Sequence, residues 1–425
     1  MPDIRLPKAD FRPDITTETV RPDWFERHGA WMVMFAVVIL SQSIESFTAR
    51  QIGPSIMGKM TLMFTALSVM LIILPGLILK TRQVVFTLWV NLPFQLYSLI
   101  AILSFFWSVN PAESLKAGFV LMCFHGTGVV LAALFSWRNI WRGIAWGILF
   151  LAFLSVLIIP HDGLMTEVHP GALRGLWIEK NASAESFAIG AIACSIIAIA
   201  DRNPWYYLGT ILLLGLIVMA QAAGALAACM IGLAYLYFTE SIRRGPIRFF
   251  LGGWVSVMIV ASIAIVIAGL GLEAAGLLGR ETTLTGRTVI WPTVIDHIQQ
   301  RPLLGYGFQA FWVDGAETKK VVMLRANFEA HNAHNSYFEM MLGIGALGSF
   351  FVAFGVLRCM YQSSTALFGG RDARRFVLAF LVFGLLLSLS ESMLGDSAGM
   401  AAFVLGILVP KVALGYATAK GRFRA

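Results

Sequence analysis

Residues 336–357 read SYFEMMLGIGALGSFFVAFGVL, with one charged side chain, Glu339, near the start and none after it. A helix of this length, rising about 1.5 Å per residue, covers the roughly 30 Å of hydrocarbon in a bilayer. Soluble core helices rarely run so far without charge. Outward from it, comparable apolar runs lie near 31–49, 60–79, 84–107, 116–135, 140–159, 184–201, 204–220, 223–239, 248–270, 376–394 and 398–416. With 336–357 they predict an all-α, polytopic transmembrane helical bundle of about 12 spans.

Composition excludes a water-soluble globule. Of 425 residues, 58% are hydrophobic and 13% charged, against roughly 45–50% and 25% in soluble domains. The net charge of +8 is no nucleic-acid footprint, because Lys and Arg sit in short segments between spans rather than on one basic face. They report orientation instead. Placing the N-terminus inside gives that side Lys80, Arg82, Arg138, Arg142, Arg202, the run around Arg243, the cluster around Arg374 and both tails, 20 of the 32 basic residues. Arg50 and Lys59 count mildly against this, and the third span can be divided differently around Asn91 and Pro93.

The expected organisation is a cytosolic N-terminal tail at 1–29, transmembrane helices 1–9 over 30–270 with an outside loop near 160–183, a large outside loop at 271–335, helices 10–12 over 336–418, and a cytosolic tail at 419–425. The first 29 residues carry no apolar core, so they read as a tail rather than a cleaved signal peptide. Cys123, Cys194, Cys229 and Cys359 fall inside or at the edge of apolar spans with no metal or redox spacing, and read as small core residues.

Within the larger loop, Ile290, Trp291, Val294, Ile295 and Ile298 share one face at helical spacing. Thr288 is available as an N-cap and Pro292 falls within the first turn, so the pattern predicts an amphipathic helix on the membrane surface or against the bundle. The chain holds no phosphate loop, Rossmann fingerprint or His-Glu-x-x-His helix. That excludes a nucleotide-driven pump on this polypeptide.

The densest polar constellation is His331-Asn332-Ala333-His334-Asn335, where the loop re-enters the membrane. A histidine at that water boundary suits proton transfer with a hydroxyl substrate. The same residues also suit capping of the helix that starts at Ser336, with Asn335 as N-cap. His331 and His334 have no evident third partner for a metal. Arg287, opening the amphipathic segment, fits either a phosphate cradle or a surface arginine reaching lipid headgroups. Arg174 and Lys180, beside Trp177, fit a lipid-headgroup site or an aromatic belt. Among charges near spans, Glu45, Glu185, Glu339, Glu391 and Asp396 stand out, with Glu185, Glu339 and Asp396 expected to face water. His125, alone in mid-span, reads as a hydrogen-bonded core residue.

In order along the chain stand Trp107-Ser108-Val109-Asn110-Pro111, Arg174-Gly175-Leu176-Trp177, Thr285-Gly286-Arg287-Thr288, Arg301-Pro302-Leu303-Leu304-Gly305-Tyr306-Gly307-Phe308, His331 to Tyr337, Gly343 to Gly348, and Ser390-Glu391-Ser392. Taken together, these segments resemble the O-antigen ligase and repeat-unit polymerase superfamily of bacterial envelope glycosyltransferases. Their wording is most similar to exopolysaccharide polymerases of the succinoglycan type. The resemblance implies an inner-membrane enzyme with a periplasmic active site in its large loop. It implies sugar transfer from an undecaprenyl-diphosphate-linked oligosaccharide without a cofactor or catalytic metal. The acceptor would be a lipid-linked repeat for a polymerase, or lipid A core or protein for a ligase, with membrane lipids and a chain-length regulator protein as candidate partners.

By the same resemblance His334 is the base or hydrogen-bond partner of the acceptor hydroxyl and Arg287 holds the diphosphate. Substrate binding falls to Arg174, Lys180, Asn181, His331, Asn335 and Glu391. Family ligases carry a further arginine in the turn that here reads Gln221-Ala222-Ala223-Gly224, with no basic residue; Arg174 and Lys180 are its candidate substitutes. A polymerase, a ligase and a glycan transporter all remain open. A transporter should show two related halves, and no internal repeat is evident.

Overall fold

The computed structural model describes residues 24–166, 169–242, 287–326, 330–365, 371–393 and 399–421, without the side chains of 24–26, 242, 287–288 and 371–376. The predicted span at 248–270, Asp396 and most of the two tails lie outside the described residues. Among those described, eight helices are long and apolar enough to cross a membrane, or nine if one bent pair is a single span. The chain is a multi-pass, all-α membrane protein.

Helix α1 (Trp24–Leu40) and α2 (Ser43–Ile52) form the first span, interrupted at Gln42, whose φ is 57°. The second runs from α3 (Met57–Ser68) through a π turn into α4 (Leu74–Leu79). Pro75 follows that turn, where its missing amide cannot serve a regular ladder. The third corrects the expectation of one run over 84–107. Helices α5 (Thr81–Val90) and α6 (Leu92–Leu103) meet at 84° around Asn91 and Pro93. Proline disfavours a helical residue before it and removes a donor. At the bend Arg358 donates from Nη2 to the carbonyl of Val90 at 2.7 Å.

Helix α7 (Pro111–Leu134) starts on Asn110, whose side chain accepts from the Glu113 amide, with Pro111 in the first helical position. It is followed by α8 (Trp137–Leu157), α9 (Lys180–Asp201), the short α10 (Trp205–Met219) and α11 (Ala223–Ile242). Outside the spans lie α12 (Arg287–Gln300) and α13 (Glu317–Ala326). Then come α14 (Ser336–Ser364), α15 (Arg371–Leu387) and α16 (Met400–Ala419).

Inside the bundle α1 packs along α8, α7 between α6 and α16, α9 along α10, and α11 along α15. Small residues allow one close crossing: a Cβ on Gly128 of α7 would lie 2.3 Å from the backbone of Gly406 in α16. Lys411 of α16 donates to the carbonyls of Ala132 at 2.9 Å and Phe135 at 2.5 Å. A cation at the end of α7 meets the negative pole of that helix and its unsatisfied carbonyls. All four cysteines are buried and free. His125 is buried with Nδ1 2.6 Å from the Ser98 hydroxyl, as a core histidine should be.

The extramembrane segments have a small core of their own, built from Ile290, Val294, Tyr306, Phe311, Val322 and Leu342 among others. Helix α12 packs against α13 and α14, so its apolar face meets the bundle. Two local expectations need correction. Thr288 lies inside α12 and so cannot be its N-cap, and Pro292 sits inside the helix rather than in the first turn. Ile295 is exposed, and His297 takes a buried place near that face instead.

What couples this small core to the bundle is a break in α14. Gly345 has φ 61° and ψ −166°, values open to glycine and costly for any residue with a Cβ. At the break, the amides of Tyr306 and Gly307 donate to the carbonyls of Leu342 and Gly343, at 2.7 and 2.9 Å. In return, the amides of Ala346 and Leu347 donate to Pro302 and Leu303, at 2.8 and 3.1 Å. The 107–114 turn grips the other side: Val109 donates to Tyr306 O at 2.9 Å, and Ser114 Oγ to Phe308 O at 2.9 Å. Three stretches distant in sequence thus form one hydrogen-bonded junction.

Candidate active site

The segment 331–335 owes its shape to the helix after it. Asn335 caps α14, its Oδ1 accepting from the amides of Tyr337 at 3.0 Å and Phe338 at 3.2 Å. Its Nδ2 donates to Leu389 O at 3.2 Å. His334, just before the cap, adopts φ 48°, a conformation costing an ordinary residue roughly 1–2 kcal/mol. Neighbours on both sides enforce it. The His334 amide donates to Asn332 Oδ1 at 2.8 Å. The Ala333 amide donates to Glu339, which also accepts from Trp312 Nε1 at 2.9 Å, and Trp291 Nε1 donates to Ala333 O at 3.0 Å.

This corrects the expectation that Glu339 faces water: it is half-buried and holds the backbone beside His334. Glu185 is likewise half-buried, its Oε1 accepting from the amide of Ala401 at 3.2 Å in the first turn of α16.

The His334 side chain points at the segment that follows α15. Its Nδ1 lies 3.5 Å from Glu391 Oε2, with side-chain exposures of 28% and 19%. That nitrogen is buried without a hydrogen bond within the protein, and the Glu391 carboxylate faces it across this 3.5 Å contact. Glu391 is oriented in turn: Asn181 Nδ2 donates to its Oε1 at 3.1 Å, and Ser336 Oγ donates to its carbonyl at 2.8 Å. The Ser336 amide donates to Ser388 O at 2.9 Å, which ties the start of α14 to the end of α15. The structure therefore brings together His334, Asn335, Glu391 and Asn181 from three parts of the sequence.

Lys180 stands beside Asn181 at the start of α9. Its Nζ donates to Gln221 O at 3.1 Å, so its ammonium lies at the turn that has no basic residue of its own. Gly224 in that turn is close enough that a Cβ would meet Ser390 Oγ at 3.0 Å. Burial, and then the charge of Lys180, hold the imidazole of His169 below its ordinary range.

Arg174 has a different setting. Its Nη2 pairs with Asp162 Oδ1 and its Nε donates to Asp162 O at 3.2 Å. Arg50 approaches the same carboxylate at 2.8 Å and donates to the carbonyls of Gly175 at 2.8 Å, Leu176 at 3.2 Å and Trp177. Burial raises the Asp162 carboxyl, but the two guanidinium groups outweigh it and hold the acid below the usual carboxylate range. This is a clasp across the 160–177 loop, and it gives Arg50, at the end of the first span, its partners.

His331 is exposed, with Nδ1 3.4 Å from Nζ of Lys319. Arg287 opens α12 one turn ahead of Trp291, and its side chain lies outside the described residues. Among the described residues no three His, Cys, Asp or Glu side chains group as a metal set. Sequence reading missed Arg50, Asp162, Lys319 and Trp312 as parts of the site's frame. Arg50 and Asp162 pair across 112 positions and Trp312 reaches Glu339 across 27, while Lys319 meets Asp314 and His331 at spacings of five and twelve that follow no periodic pattern.

Comparison with known proteins now bears on these residues. Residues 208–353 match the family model for O-Antigen ligase. The O-antigen ligase match takes in the Gln221 turn, Arg287, the 301–308 turn and the whole of 331–335. Exopolysaccharide production protein ExoQ of Rhizobium meliloti (strain 1021) is 25% identical over 304 residues, 66% of this chain and 67% of that protein. The resemblance to the O-antigen ligase and Wzy-type polymerase superfamily therefore rests on a family model over 208–353 and on a relative matched over 66% of this chain.

Proposed function

We propose that this protein is an inner-membrane glycosyltransferase that polymerises oligosaccharide repeats carried on undecaprenyl diphosphate, on the periplasmic face. The observation that carries the reading is the His334–Glu391 pair, a histidine faced by a carboxylate where the segment 331–335 enters α14. The acceptor hydroxyl gives its proton to His334 Nε2 as its oxygen bonds to the donor's anomeric carbon. The bond from that carbon to the diphosphate oxygen breaks, and the pair of electrons leaves with the lipid diphosphate. Glu391 faces the imidazolium so formed. Arg287 and Lys180 supply positive charge for the leaving group, and direct attack inverts the anomeric carbon. A positioned base contributes roughly 10²–10⁴-fold, and charge stabilisation of the leaving group a comparable factor.

Polymerase is favoured over ligase by the likeness to an exopolysaccharide production protein and by the turn at Gln221, which carries no arginine. The O-Antigen ligase model match keeps the ligase as the second reading. Deleting the gene and analysing cell glycans separates them. Single repeats without polymer support the polymerase, and lipid-linked polymer that is never transferred supports the ligase. An intact glycan profile with a lipid-linked precursor trapped inside would instead indicate a transporter and overturn both. Complementation with His334→Ala, checked for membrane insertion, should restore no polymer; wild-type chain lengths would remove His334 from the chemistry.

A further inference from the structure

We propose that the two histidines of the 331–335 segment are held in opposite tautomers, His334 with its hydrogen on Nδ1 and His331 with its hydrogen on Nε2. Glu391 and Lys319 are the positioning residues. The inference rests on the catalytic reading above only for its consequence; the tautomers themselves follow from the neighbours.

A carboxylate can only accept, and Glu391 faces the buried Nδ1 of His334 at 3.5 Å. The hydrogen then belongs on Nδ1, and Nε2 keeps its lone pair for a substrate proton. An ammonium can only donate, and Lys319 Nζ faces Nδ1 of His331 at 3.4 Å. That nitrogen must offer its lone pair, which puts the hydrogen of His331 on Nε2.

Lys319 is built for this task. Its side chain is 6% exposed on α13, and its Nζ donates to Asp314 Oδ1 at 2.6 Å. Asp314 is itself solvent-facing, and the Lys319 ammonium holds its carboxyl below the usual range. A buried lysine with one acid on the water side and one imidazole nitrogen beside it has its charge matched and its direction fixed.

The chemical consequence is a division of labour within four residues. His334 receives a proton. His331, exposed, donates a hydrogen bond from Nε2 to an oxygen of the substrate, a phosphate or sugar oxygen, and does not act as a base.

The test uses the full-length protein with ¹⁵N-labelled histidine in lipid nanodiscs, with ring nitrogens read by solid-state NMR and assigned through His331→Gln and His334→Gln. The expected spectrum has His334 protonated at Nδ1 and His331 at Nε2. Lys319→Met should shift only His331 toward a mixture, Glu391→Ala only His334, and the exposed Asp314→Asn should move His331 partway without threatening the fold. Polymer yield in Lys319→Met should fall about tenfold, the size of one lost charge-assisted contact, and Lys319→Arg should recover much of it.

Finding His331 protonated at Nδ1 in the wild type, or tautomers unchanged in all three variants, would overturn the inference even if polymer is lost. Tautomers as stated with wild-type polymer from His334→Gln would uphold the inference and sink the catalytic reading instead. Added lipid diphosphate and added acceptor oligosaccharide distinguish the two oxygen sources by which one moves the His331 Nε2 signal; movement with neither overturns the donor role.

Discussion

The indole N–H of Trp291 donates to the carbonyl of Ala333 at 3.0 Å, so a helix of the extramembrane loop holds the residue just before His334. Trp291→Phe keeps the ring against Phe338, its edge-to-face neighbour at 5.5 Å, and removes only the donor. A hydrogen bond of this kind contributes about 1 kcal/mol. Polymer output per folded molecule should fall about fivefold with expression unchanged, measured by gel profile against membrane protein level.

The clasp of Arg50, Asp162 and Arg174 predicts a pH signature. The Asp162 carboxyl is held below its ordinary range by its two arginines in the folded protein. Its stabilising contribution is thus fully present above the unfolded value, about 3.9, and is lost as pH falls through the lower folded value. Asp162→Asn should lower the melting temperature in detergent at neutral pH, and the gap to wild type should narrow below about pH 4. A gap that stays constant down to pH 3 would show that the charge is not what holds the loop.

Gly345→Ala tests the junction between loop and span. A Cβ at this position would lie 2.3 Å from the backbone of Leu303, and φ is 61°. A destabilisation of at least about 2 kcal/mol is expected from the conformation and the clash together. The 301–316 loop should become sensitive to protease while the spans remain protected.

At the Gln221 turn, Lys180→Gln removes the nearest ammonium and Lys180→Arg retains a cation. If this charge serves the lipid diphosphate, Gln should raise the KM for a lipid-linked donor about tenfold while Arg stays within about threefold. Equal effects from both would point to packing rather than charge.

The spans were legible because uncharged runs of bilayer length have one physical solution, and Asn335 announced the start of α14 because its cap is local. Proline gave partial warning of the 84° bend between α5 and α6. The candidate residues could be named from the sequence, but not their arrangement. Glu391 and Asn181 are 210 positions apart, and the roles of Lys319 and Glu339 depend on which backbone comes to rest beside them. Arg174 shows the limit most clearly: its type and setting suit a phosphate, yet its guanidinium is engaged by Asp162, a partner that spacing cannot identify.

The interrupted helix at Gly345 does more than join two cores. Because Tyr306 and Gly307 hydrogen-bond to the membrane helix itself, the turn they belong to takes its position from a spanning helix. On the proposed function, a substrate tethered by a polyprenyl tail would present its sugar at a height set by the same surface. On that reading site and substrate would share one datum plane, and each new bond would be made at the same depth.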